Sequence, residues 1–154
     1  MTTESGDDLR DQSDRTAPDS SVADVLAADR PLACYLADAA TITLVRDACS
    51  VLGVEVDRHG PYEIPNPGAH RGGVVLLDVP PGQERRFEWC RRLKKHDRST
   101  RIVLLIHEPS RGRVMRGAMS GADVIAGLPI DADDLAARLR DLFRADEDDD
   151  DTAA

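Results

Sequence analysis

The sequence predicts an α/β domain built on a parallel β-sheet. Val74 to Leu77 and Ile102 to Ile106 are unbroken aliphatic runs, the pattern of strands covered on both faces. Segments with helical spacing separate these runs, as crossover helices require. The first run delivers one carboxylate, Asp78, to its end, and a Pro80-Pro81-Gly82 turn follows. Open parallel sheets gather ligands beyond the carboxyl ends of their strands, so Asp78 stands where chemistry is expected.

Leu32 to Ala37 is the first apolar run and also ends on an acid, Asp38. Ile42, Val45, Cys49 and Leu52 then repeat at helical spacing, and Gly53 supplies the stop. Val54 to Val56 makes a weaker second strand. Residues 57 to 73 hold Gly60, Pro61, Pro65, Pro67, Gly68, Gly72 and Gly73, which leave no window for a stable helix. A loop is expected there, with Tyr62 and Ile64 as plugs over the sheet. After the Asp78 strand, Phe87, Trp89, Cys90 and Leu93 give a helix with a broad apolar face. Ile102 to Ile106 is the fourth strand and runs into His107 and Glu108. Val114, Ala118 and Met119 mark a helix ending at Gly121, and Val124 to Ala126 a short fifth strand before Gly127, Leu128 and Pro129. Leu135, Leu139 and Leu142 define the last helix. Asp131 is placed as its N-cap, Asp133 and Asp134 suit its first turn, and Arg138, Arg140 and Arg144 suit its other end.

The net charge of −9 divides unevenly. Residues 1–30 carry −5, residues 145–154 carry −6, and the stretch between them +2. Both ends are expected to be disordered acidic tails around a domain spanning 31–144. Val22, Val25 and Leu26 have the spacing of one helical turn beside that domain. Such tails most often serve solubility, and less often act as a lid on a basic surface. Arg85, Arg86, Arg91, Arg92, Lys94, Lys95, Arg98 and Arg101 crowd the third crossover and its exit, and read as a solvated face. A nucleic-acid surface would pair such a patch with free aromatics, whereas Trp89 and Phe87 are committed to the core, so nucleic acid is not the expected partner. Cys34, Cys49 and Cys90 lie on apolar faces without metal-ligand spacing, and read as small core residues of a reducing cytoplasm. No apolar run reaches membrane-spanning length.

The order and punctuation of these segments resemble the receiver domain of bacterial response regulators. The likeness covers residues 31–144. It is carried by LLDVPPG around Asp78, by GADVIAGLPIDADDLAARLRDLF over 121–143, and by ADAATITLVRDACSVLGVEV over 37–56. It implies a flavodoxin-like, doubly wound five-stranded sheet of order 2-1-3-4-5, with the Pro/Gly-rich loop replacing the family's second helix. It also implies a cis peptide at Leu128–Pro129 and Asp38 beside Asp78.

By the same resemblance Asp78 is the candidate phosphoryl acceptor, and Asp38 with Asp78 forms a weak Mg²⁺ site. The departures are specific. Ala37, not an acid, stands at the second acidic position before the helix. The family's hydroxyl residue falls at Ile106 or His107, its switch aromatic at Ile125, and its lysine at Leu128. Phosphoryl transfer to a carboxylate needs cations to offset the charge on the equatorial oxygens, and these residues supply fewer of them. The preferred expectation is therefore a stand-alone, divergent receiver in cytoplasmic two-component signalling, not an enzyme, with phosphorylation of Asp78 in doubt. It would meet a histidine kinase or other signalling protein through Val114, Met115, Ile125, Leu128 and Pro129. A conventional Mg²⁺-dependent phospho-receiver is the second reading. An unrelated flavodoxin-like enzyme or ligand-binding domain is the third, and lacks a Gly-rich phosphate loop after strand one.

Overall fold

The structure of the protein, a computed structural model, describes residues 32–153, with side chains described as far as Arg144. Five parallel strands run β1 (Leu32–Tyr35), β2 (Val56–His59), β3 (Val74–Val79), β4 (Arg101–Ile106) and β5 (Val124–Gly127). Four helices connect or follow them: α1 (Ala39–Leu52), α2 (Arg85–His96), α3 (Arg111–Met119) and α4 (Ala132–Ala153). The strand order is β2-β1-β3-β4-β5, as the sequence led us to expect, and the Leu128–Pro129 peptide is cis. The backbone of α4 continues to Ala153, past the boundary placed at 144. The acidic segment 1–30 lies outside the described residues.

Alternation along each strand divides the core in two. Leu32, Cys34, Leu76, Val103 and Leu105 face α1 and α4, and meet Val45, Leu135 and Leu139 there. Ala33, Tyr35, Leu77, Leu104 and Ile106 face the other way, toward Phe87, Trp89, Cys90 and Leu93 of α2. All six residues of β3 are buried, which its unbroken aliphatic run required. The three cysteines are buried free thiols, and burial pushes Cys49 and Cys90 up to about 11, so they pack rather than react.

Local chemistry sets the element ends. Asp38 is not the end of β1 but the N-cap of α1, its carboxylate accepting from the Thr41 amide, and β1 stops at Tyr35. Gly53 closes α1 at φ 71°, a left-handed position that a side chain would strain. That turn uses up Val54 and Glu55, so β2 begins at Val56 rather than Val54. Between β2 and β3 there is one 3₁₀ turn, Pro67–His70, and no α-helix. The plugs expected in this loop are wrong: Tyr62 is 85% exposed and Ile64 57%. On the sheet face beneath, Tyr35 is instead met by the rings of His59 and His70, while Pro65 is the buried residue of the loop's 61–65 stretch.

Candidate functional site at the carboxyl edge of the sheet

Asp78, second from the end of β3, is completely buried. Its Oδ1 accepts from the Ala37 amide at 2.8 Å and from Arg86 Nη1 at 3.2 Å. Its Oδ2 accepts from the Asp38 amide at 3.2 Å and faces His107 Nε2 at 3.1 Å. An ionised carboxylate only accepts, so Nε2 of His107 carries the proton in this contact. A carboxylate offers about four lone-pair directions, and Asp78 uses them on four donors.

Arg86, in the first turn of α2, supplies the counter-charge, and it too is completely buried. Its burial corrects the expectation that it belongs to a solvated basic face. Its Nη1 also donates to the carbonyls of Tyr35 at 2.7 Å and Asp78 at 3.3 Å, while Nη2 donates to Pro61 O at 2.7 Å. Nε reaches Gln83 Oε1 at 2.9 Å, and the guanidinium lies 4.7 Å from the centre of the Trp89 ring. Desolvation weighs against charge on Arg86, and the Asp78 carboxylate offsets it. One side chain thus ties the ends of β1 and β3, the start of α2 and the loop after β2. Its position was legible in one respect: Arg86 shares the stripe of Trp89, Cys90 and Leu93, where a cation needs a buried partner. Lys94 also leaves the solvated set, since it is ion-paired with Asp123 at 3.1 Å.

His107 separates Asp78 from the open cleft above it. Its Nε2 lies 3.3 Å from Thr41 Oγ1, which donates to Asp38 Oδ2 at 3.2 Å. The cleft, of about 420 Å³, is lined by the polar Asp38, Thr41, His107 and Glu108 and by the apolar Leu44, Leu128, Pro129 and Ile130, among others. Asp78 is not part of its wall. Glu108 holds φ 47°, a left-handed position uncommon for a side-chain-bearing residue. Of the two positions considered for the family's hydroxyl, Ile106 points into the core and His107 faces Asp78. Ile125 is half-buried against the α2 and α3 side, and Leu128 is half-buried at the cleft. Val114 and Met115 lie exposed on α3, and Pro129 is exposed at the cleft rim.

On the other side of Arg86, histidines that the sequence scatters come together. Tyr35 stacks on His59 at 4.2 Å between ring centres, and His70 meets both rings edge-on. The Tyr35 hydroxyl lies 2.5 Å from His70 Nε2. Burial, with Glu63 and Asp57 nearby, pushes the phenol up to about 12, so Tyr35 is the donor and His70 the acceptor. Burial and then the charge of His59 hold His70 below its ordinary value. His59 Nδ1 lies 2.6 Å from Glu63 Oε2 and its Nε2 3.1 Å from Asp57 Oδ2, and the hydrogen bond to His59 is the main cause lowering the Glu63 carboxyl.

The residues fit poorly with a Mg²⁺ site. Mg²⁺ needs carboxylate oxygens it can approach. Asp38 Oδ2 is engaged by Thr41, and Asp78 is filled by four donors with a guanidinium 3.2 Å away. Among the described residues no group of three His, Cys, Asp or Glu side chains is placed to hold a metal ion.

Comparison with solved structures places this architecture among receiver domains. A BeF₃-activated DrrB receiver domain matches with a TM-score of 0.59 and 23% identity, over 75% of this chain and 97% of the other. A CheY-like response regulator receiver protein from Methanospirillum hungatei matches at 0.60 with 14% identity, over 79% and 99%. A CheY-like protein, TadZ, from Pseudomonas aeruginosa matches at 0.61 with 13% identity, over 74% and 99%. No protein-family model and no curated protein sequence matches the chain. The chain therefore has the CheY-like receiver fold, and its site must be argued from its own residues. Among the described residues no helix is long and apolar enough to cross a membrane.

Proposed function

We propose that this chain is a divergent receiver-type module in signal transduction that works by protein–protein contact, with Asp78 serving the fold rather than accepting a phosphoryl group. One observation carries the reading: both Asp78 oxygens are occupied, the residue is fully buried, and Arg86 neutralises it from within. In-line attack on a phosphodonor requires a free, exposed carboxylate oxygen. His107 stands across the approach, and Leu128 offers no cation to the phosphoryl oxygens. The proposed partner surface joins Val114 and Met115 of α3 to Ile125, Leu128 and Pro129, where apolar side chains reach solvent. The partner is a signalling protein such as a histidine kinase.

The test is the intact mass of the protein after incubation with acetyl phosphate and Mg²⁺. The reading expects the unmodified mass. Stoichiometric, Mg²⁺-dependent gain of one phosphoryl group, lost in Asp78→Asn, would establish the conventional phospho-receiver instead.

A further inference from the structure

β2 is the edge strand of the sheet, and three of its four residues are exposed. Between it and α1 runs a groove of about 170 Å³ with an apolar floor of Leu36, Ile42, Val45 and Val56. Arg46 and Arg58 stand along it, and it adjoins a second hollow of about 390 Å³ that shares Leu36, Ile42 and Arg58. Among the described residues neither arginine makes an ion pair or hydrogen bond, whereas Arg86, Lys94 and Arg113 are each paired with an acid. An apolar floor with two unmatched cations beside it fits an amphipathic acidic segment.

We propose that this occupant is residues 19–30 of the same chain. Asp19, Val22, Val25, Leu26 and Asp29 fall on one helical stripe, with an acid at each end and the apolar residues between. Pro18 and Pro31 bracket the stretch. The segment ends beside the groove: Pro31 precedes Leu32, whose amide donates to Glu55 O and which pairs in register with Val56 on the groove floor. As a helix, twelve residues would span roughly 18 Å, close to the roughly 21 Å of α1 that it would lie along. Val22, Val25 and Leu26 would cover Ile42 and Val56, and Asp19 and Asp29 would meet Arg46 and Arg58. The acidic N-terminal stretch would then be divided, with residues 19–30 belonging to the domain.

The test is hydrogen exchange on the full chain, read by mass spectrometry, with thermal melts alongside. Amides of 20–30 are expected to exchange at least about tenfold slower than an unstructured chain. Leu26→Asp should abolish that protection and lower the melting temperature. Arg46→Glu with Arg58→Glu should weaken it, and adding Asp19→Arg with Asp29→Arg should restore it. Unprotected amides in the parent protein, with a melt unmoved by Leu26→Asp, would overturn the proposal. So would protection that rises with protein concentration, because the occupant would then be a second copy.

Discussion

Removing Arg86 would leave the Asp78 carboxylate buried without its counter-charge, and breaking such a pair typically costs about 3–5 kcal/mol. Arg86→Met is therefore expected to lower unfolding free energy by about that amount in denaturant titrations. Replacing both partners by apolar residues of similar volume is often close to neutral. Arg86→Met with Asp78→Leu should accordingly cost less than Arg86→Met alone, and additive losses would show that the two do not act as a pair. His70 gives a second residue-scale prediction. Its folded-state value is held below the ordinary 6.5, so the folded protein resists protonating it and the unfolded chain does not. The stability from neutral His70 is present above about pH 6.5 and is lost as pH falls below it. Melting temperature should decline through that window in the parent and less steeply in His70→Gln. Glu63, lowered by His59, adds a further loss at more acid pH, below its ordinary 4.5.

At the scale of elements, α3 has one face committed to the sheet and one open. A side chain at Gly117 would meet Leu104, Ile106 and Ile125 at 3.2–3.4 Å, so α3 sits close because that residue is a glycine. Gly117→Val should cost about 1–3 kcal/mol through overpacking. Met115, 57% exposed on the other face, should accept Gln within about 0.5 kcal/mol, and a larger loss would mean this face is already engaged. Element positions were largely legible in the sequence because burial on both faces writes itself as continuous aliphatic runs, as in Val74–Leu77. The loop before β3 was legible as an absence of helix, from its prolines and glycines, but its contacts were not. Tyr62 and Ile64 have the right polarity for plugs, yet the covering rings are His59 and His70, which no local pattern brings together. Arg86 was hidden among seven other cations, although its helical stripe marked it.

For the whole molecule, charge and topology separate its faces. The basic side chains of α2 that remain in solvent, among them Arg91, Arg92 and Lys95, lie on the sheet face opposite α1 and α4. At the carboxyl edge, Asp78 holds the position that a receiver fold would use for chemistry. The resemblance alone left Asp78 between chemistry and structure, and the burial of both Asp78 and Arg86 favours structure. The most direct measurement is the intact mass after prolonged incubation with acetyl phosphate and Mg²⁺. The account predicts an unchanged mass for the parent protein. A stoichiometric phosphoryl adduct that requires Mg²⁺ and maps to Asp78 would contradict it.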